Sequence, residues 1–215
     1  HWLFITVQNI VVGQISMNQL RIIDEHFQLD QKLVPEFLRV LWRLVFDWLG
    51  RISILISNEF SLPYQRHMNF VTPAVMAYVV GRLKDEIRVP FGVDCISDGE
   101  ATIELAAAVG ADFVRGTFCG VYVGDGGLYN NDFSALLRRK AALHLDNLKM
   151  LYFINPESDR NLDTRPLADI AKSTIFKAHP DGLCISANAA GQDVDDALIT
   201  SVKEANPEVV VLCNT

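Results

Sequence analysis

From Ile52 to the last residue, short apolar runs alternate with amphipathic stretches of helical period, and this rhythm limits the fold more than any single motif does. The runs are Ile52–Ser57, Val89–Val93, Asp112–Arg115, Leu148–Ile154, Gly182–Ser186 and Val209–Cys213. Each is short and lacks strict polar alternation, so each reads as a strand covered on both faces. Helices are predicted between them: Pro73–Lys84, with Thr72 as N-cap and Pro73 as first helical residue; Glu100–Val109, closed by Gly110; then Phe133–His144, Pro166–Phe176 and Val194–Ala205. Strand, helix, strand in regular succession predicts an α/β protein with a parallel sheet. Period alone leaves a closed barrel and an open doubly wound sheet both standing. The strand ends favour the barrel. Ser57-Asn58-Glu59, Asp94, Arg115, Asn155, Ser186 and Asn214 are small or polar, and a barrel gathers all such ends on one face, whereas an open sheet spreads them along an edge. The expectation is a (β/α)8 TIM barrel forming a single domain over 1–215. Such barrels take about 250 residues. This chain has 215, begins at His1 and stops at Thr215 just after an apolar run, so the barrel is expected to be truncated before its eighth strand.

Charge and composition exclude several classes. The net charge is −7, and the 19 Lys and Arg are scattered apart from Arg138-Arg139-Lys140. Nucleic-acid binding needs a concentrated basic footprint, so it is set aside; that trio reads as the solvated end of a helix. The four cysteines form no CxxC pair. Cys95, Cys184 and Cys213 read as small buried hydrophobes, and reduced thiols point to the cytoplasm. No signal peptide is visible and no stretch of about 18 uncharged apolar residues occurs, so neither secretion nor a membrane-spanning helix is expected. No G-x-G-x-x-G follows a strand and no P-loop occurs, while Gly124, Gly126 and Gly127 read as a flexible loop or lid. Leu33–Leu49 is helical in period, with a thin polar stripe of Glu36, Arg39, Arg43 and Asp47. Such a helix is buried against a core or a partner, a homo-oligomer included. The alternative is peripheral membrane contact, against which stands a stripe with as many acids as bases.

Four segments carry a family resemblance: Ser57-Asn58-Glu59-Phe60-Ser61-Leu62-Pro63-Tyr64, Ile87-Arg88-Val89-Pro90-Phe91-Gly92-Val93, Ile170-Ala171-Lys172-Ser173-Thr174-Ile175-Phe176, and Ala178-His179-Pro180-Asp181-Gly182-Leu183-Cys184-Ile185-Ser186. Val210-Val211-Leu212-Cys213-Asn214-Thr215 extends it. From about Ile54 to Thr215 the chain resembles the BtpA/SgcQ family. The resemblance implies a phosphate-binding TIM barrel. It also implies one of two functions: an enzyme acting on a phosphorylated sugar or nucleotide, or a non-catalytic scaffold of the photosystem I assembly type. The match breaks off over 1–53. Where the family has a His-Leu and Leu-Pro-Gly segment, this chain has Gln14-Ile15-Ser16-Met17-Asn18-Gln19-Leu20, followed by the apolar Leu33–Leu49. A sharp boundary of that kind is what a reading-frame shift produces, and the N-terminal region is expected to pack worst.

The candidate site residues are strand-terminal. Glu59 can act as general base or as ligand of a divalent metal such as magnesium, with Asn58 beside it contacting substrate; the alternative is a pair capping the backbone near Ser61 or Tyr64. Asp94 can share that metal or proton, or else cap the helix near Glu100. Arg115 can clamp a phosphate, or else pair with Glu59 or Asp94. Asn155, Ser186 and Asn214 can orient substrate by hydrogen bonds. The small-residue loop through Asn188 to Gly191 lets backbone N–H groups approach an anion, although Ala187 stands where the resemblance expects glycine. His179 falls at the opposite ends of the strands and reads as structural. Neither Lys149 nor Lys172 ends a strand, which argues against a Schiff-base aldolase.

Overall fold

The computed structural model describes residues 2–7, 10–16, 53–58, 66–124, 126–189 and 191–214, the first three stretches through their backbone only. The helix expected at Leu33–Leu49 lies outside the described residues. The chain divides into two compact units, His1–Phe113 and Val114–Thr215.

In the first unit β1 (Trp2–Val7) and β2 (Ile10–Ser16) form an antiparallel hairpin, and β1 also runs antiparallel to β3 (Ser53–Asn58). β3 pairs parallel with β4 (Phe91–Cys95), from Ser53↔Phe91 to Ser57↔Cys95, as the sequence predicts. The α/β class with parallel strands therefore holds. A closed barrel is not found among the described strands, and β1 departs from the all-parallel arrangement that a barrel requires. The two-residue link forces β1 and β2 antiparallel, since a parallel crossover needs a dozen or more residues.

Between β3 and β4 runs α1 (Val71–Leu83), which buries Met76, Val79, Val80 and Leu83, the spacing of one helix face. It starts two residues before the predicted Pro73, with Phe70 rather than Thr72 at the N-cap. Proline is tolerated through the first turn, where N–H groups have no helical acceptor, so Pro73 marks the turn without fixing its first residue. α2 (Gly99–Val109) begins at the side chain of Asp98, which accepts from Ala101 N at 2.9 Å, and ends at Gly110 with φ +66°. α1 and α2 pack on each other and cover β4, all five of whose residues are buried. At Gly92 the packing requires a missing side chain: a Cβ there would lie 2.3 Å from the Phe113 ring.

The second unit continues the strand–helix rhythm through β5 (Phe113–Gly116), α3 (Phe133–Ala142), β8 (Lys149–Asn155), α4 (Leu167–Ala178), β10 (Gly182–Ser186), α5 (Asp196–Ala205) and β11 (Val211–Asn214). The strand order is β5-β8-β10-β11. β10 pairs parallel with both β8 and β11, in keeping with the parallel sheet that the sequence predicts. Tyr152, Ile154, Leu183, Ile185, Ala171 and Val202 are fully buried in this unit's core. Phe118 meets Tyr152 edge-on, with ring centroids 5.1 Å apart. His179 closes α4 in the left-handed conformation, the structural role expected of it. Cys184 is buried but Cys213 is exposed, against expectation, because among the described strands β11 ends the order and has only β10 beside it.

Two insertions leave the C-terminal ends of this unit's strands. After β5 comes the hairpin β6 (Val121–Gly124) and β7 (Gly127–Asn130), and after β8 comes β9 (Asp159–Asn161). Together they make a small antiparallel sheet, β7-β6-β9. The glycines expected to form a loose loop instead form this hairpin's turn, with Gly124 paired to Gly127. Its strands alternate. Tyr122 and Tyr129, directly opposite each other, are 1% and 5% exposed, whereas the opposed pair Val123 and Leu128 is 42% and 59% exposed. Tyr122 Oη donates to Ile154 O at 3.4 Å, tying the small sheet to β8.

Candidate functional site

Parallel pairing brings the C-terminal residues of β8, β10 and β11 side by side: Ile185 pairs with Asn155, and Ser186 with Asn214. Arg115 lies near the same end of β5, one residue before its last. These four predicted residues, from four strands of the second unit, meet in one hydrogen-bonded set.

Arg115 Nη1 donates to Asn214 Oδ1 at 2.7 Å. A guanidinium has only donors, so this bond fixes which way the Asn214 amide faces. Its Nδ2 then donates to Glu157 Oε2 at 2.9 Å and to Ser186 Oγ at 3.3 Å. The Asn155 amide is occupied differently. Its Oδ1 accepts from Ser186 N at 3.1 Å and its Nδ2 donates to Ser186 O at 2.7 Å, copying a strand's backbone pairing at the point where β8 ends. Asn155 thus holds the buried Ser186 in place. The Arg115 guanidinium carbon sits 5.1 Å from the centroid of the Phe153 ring, an apolar floor that favours a cation.

Glu157 was not among the residues singled out from sequence. It sits in the turn between β8 and β9, half-buried, and burial raises its carboxyl above the ordinary range. The charge of Arg115 and the bond from Asn214 oppose that rise. The next residue, Ser158, has φ +62°, a left-handed conformation unusual for serine. Its N–H donates to Asn188 O at 3.1 Å, so the loop after β10 pins the turn that carries Glu157. The signal available in sequence was Asn155-Pro156-Glu157: a strand-ending polar residue, a turn-forming proline, then an acid.

The loop through Asn188 and Gly191 does not open directly into a helix. Gln192 to Asp195 intervene, the Asp195 side chain caps α5 by accepting from Ala197 N at 2.8 Å, and Asp196 lies in its first turn. Helix N-termini attract anions, but here two carboxylates already occupy the position. Asn188 is exposed, and Gly191 has φ +77° in open space.

In the first unit, Asp94 is buried near the end of β4, opposite Ile56 of β3. It does not cap α2; Asp98 does, and Asp98 also accepts from Met68 N at 2.6 Å. Asn58 ends β3. Glu59 lies outside the described residues. Among the described residues no cluster of three His, Cys, Asp or Glu is arranged to hold a metal ion, and no helix is long and apolar enough to cross a membrane.

Against known proteins, the BtpA family profile matches residues 46–215. The chain belongs to the BtpA family. This BtpA-family chain is 42% identical over 166 residues to SgcQ, the sgc region protein of Escherichia coli K12, covering 77% of the chain and 62% of SgcQ. It is 25% identical over 167 residues to an uncharacterized protein of Thermococcus kodakarensis (76% of the chain, 62% of that protein). A Methanocaldococcus jannaschii protein is 24% identical over 157 residues (72% of the chain, 59% of that protein). The chain therefore spans less than two thirds of the length of these relatives. No solved structure gives a significant match.

Proposed function

We propose that this BtpA-family chain supplies most of a TIM-barrel enzyme acting on a phosphorylated sugar or nucleotide in the cytoplasm, with the ligand's anionic group drawn to Arg115. The supporting observation is the hydrogen-bonded set at the C-terminal ends of β5, β8, β10 and β11, which joins a guanidinium, a carboxylate, a hydroxyl and two amides. Ligand sites of parallel β/α folds lie at those strand ends. A cation on an aromatic floor beside neutral hydrogen-bonding groups suits a ligand that carries both an anion and hydroxyls. In this reading Asn58, Asn188 and Gly191 add substrate contacts. Glu59 and Asp94 supply a further carboxylate pair, for acid–base work or for a divalent metal such as magnesium.

The test is thermal-shift screening of the full-length protein against sugar phosphates, nucleotides and magnesium. A ligand at a hundred times its Kd adds about 2.7 kcal/mol to stability. At least one phosphorylated compound should raise Tm, and Arg115→Gln should abolish the rise. A flat response across all phosphorylated compounds, or an unchanged response in Arg115→Gln, sinks the reading.

A further inference from the structure

We propose that Glu157 is the acid–base group of this site, taking up a proton as an anion binds at Arg115 and passing it to the ligand, with Asn214 as the positioning residue. This rests on the reading that Arg115 meets the ligand's anionic group.

The geometry links the three residues through one amide. Asn214 accepts from Arg115 on one side and donates to Glu157 Oε2 on the other. The amide cannot turn round without setting its NH2 against the donor-only guanidinium, so Glu157 is held as an acceptor beside the cation. Its backbone is fixed as well, by the left-handed Ser158 and that residue's bond to Asn188 O. Unfavourable backbone held in place by its surroundings is a recurrent mark of functional turns.

The charges facing Glu157 are few. Arg115 of β5 acts on it, whereas β10 and β11 bring the uncharged Ser186 and Asn214. Asp159, next but one in the chain, lies against Gly124 of β6. Among the described residues, the Arg115 guanidinium is thus the charge that favours ionised Glu157. An arriving anion adds negative charge and competes with the carboxylate for the same cation, and both effects favour protonated Glu157. Burial already pushes this group in that direction.

The transfer balances without any co-reactant. The carboxylic O–H bond breaks, its electron pair stays on Glu157, and the proton forms a new O–H bond on the ligand. Reversal restores the acid.

Sulfate is a suitable probe, because it stays a dianion across the working pH range and carries no proton of its own. Calorimetric titration of the full-length protein in buffers of different ionisation enthalpy counts the protons taken up. The expected result is Arg115-dependent binding with uptake of up to about one proton per sulfate, and affinity falling up to about tenfold per pH unit above the Glu157 transition. Glu157→Gln should bind sulfate with no buffer dependence and a flat pH profile. Asn214→Leu supplies a second reading that does not need Glu157→Gln to fold. Losing the amide donor raises the Glu157 pKa further, so the fall in affinity moves to higher pH, whereas a merely structural residue would weaken binding equally at every pH. Arg115-dependent binding with no proton uptake overturns this inference alone. Absent binding, or binding unchanged in Arg115→Gln, overturns the proposed function and this inference with it.

Discussion

The two ends of the strands in the second unit use the same kinds of side chain differently. At the N-terminal end, Asp181 accepts from Met150 N at 2.8 Å while its own N–H donates to Met150 O at 2.9 Å, and Lys149 Nζ lies 3.0 Å from its carboxylate. The first unit repeats the device: Asp112 accepts from Phe91 N at 2.9 Å and donates back to Phe91 O at 2.8 Å. At the C-terminal end, polar side chains bond chiefly to one another, and Glu157 is held by a neutral amide near a cation. A carboxylate tied to strand backbone fixes register. One tied to a side-chain network has partners that a ligand can replace. Backbone ties and side-chain networks thus occupy opposite ends of the same strands.

That division can be broken or sharpened by mutation. The largest loss should come from the strand body that both ends share. Ile185→Ala, at a fully buried position, should cost about 2–5 kcal/mol in urea unfolding; a loss under about 1 kcal/mol would mean that β10 is not the centre of this core. Next comes the N-terminal end. Asp181→Ala should cost about 1–2 kcal/mol and leave sulfate affinity unchanged. A parallel fall in affinity would show that the two ends are not independent.

Glu157→Gln should have a smaller effect, dependent on pH. Because the folded-state pKa is raised, Glu157 contributes stability that is fully present below its unfolded pKa and is lost as pH rises through the folded one. Wild type should therefore lose stability relative to Glu157→Gln across that window, and a difference constant with pH would place the carboxylate in water. The smallest change belongs to Ser158→Gly. Relief of the left-handed backbone is partly offset by the freer unfolded chain, for a net gain of about 0.5 kcal/mol. A clear loss of stability would mean that the serine side chain, not the turn, matters.

Much of the fold was legible because buried parallel strands leave a plain mark: an apolar run that stops at a polar residue. That mark located β4, β8, β10 and β11 to within two residues, and with them Arg115, Asn155, Ser186 and Asn214. It failed for β6, β7 and β9. These strands have three or four residues, one face of their sheet is exposed, and their glycine turn looks like any loop. The alternation in Val121-Tyr122-Val123, mirrored by Leu128-Tyr129 across that turn, was the cue. Glu157 was missed because attention to strand-terminal residues stops at Asn155, whereas a turn carries the carboxylate back over the strand end. The antiparallel β1–β2 hairpin was not foreseen either, since the resemblance begins only after it.

The small sheet ties together two loops that lie far apart along the chain. β6 and β7 belong to the excursion after β5, β9 to the one after β8, and Tyr122 lies opposite Asn161 at their seam. Inserting a single residue into β6 just ahead of Tyr122 would turn Tyr122 outward and Val123 inward and shift the pairing with β9, because side chains alternate along a strand. Loops above a β/α scaffold ordinarily vary one at a time, each exploring new specificities without consulting its neighbours. Here β6 and β9 are hydrogen-bonded to each other, so an engineer wishing to replace one excursion must graft both together.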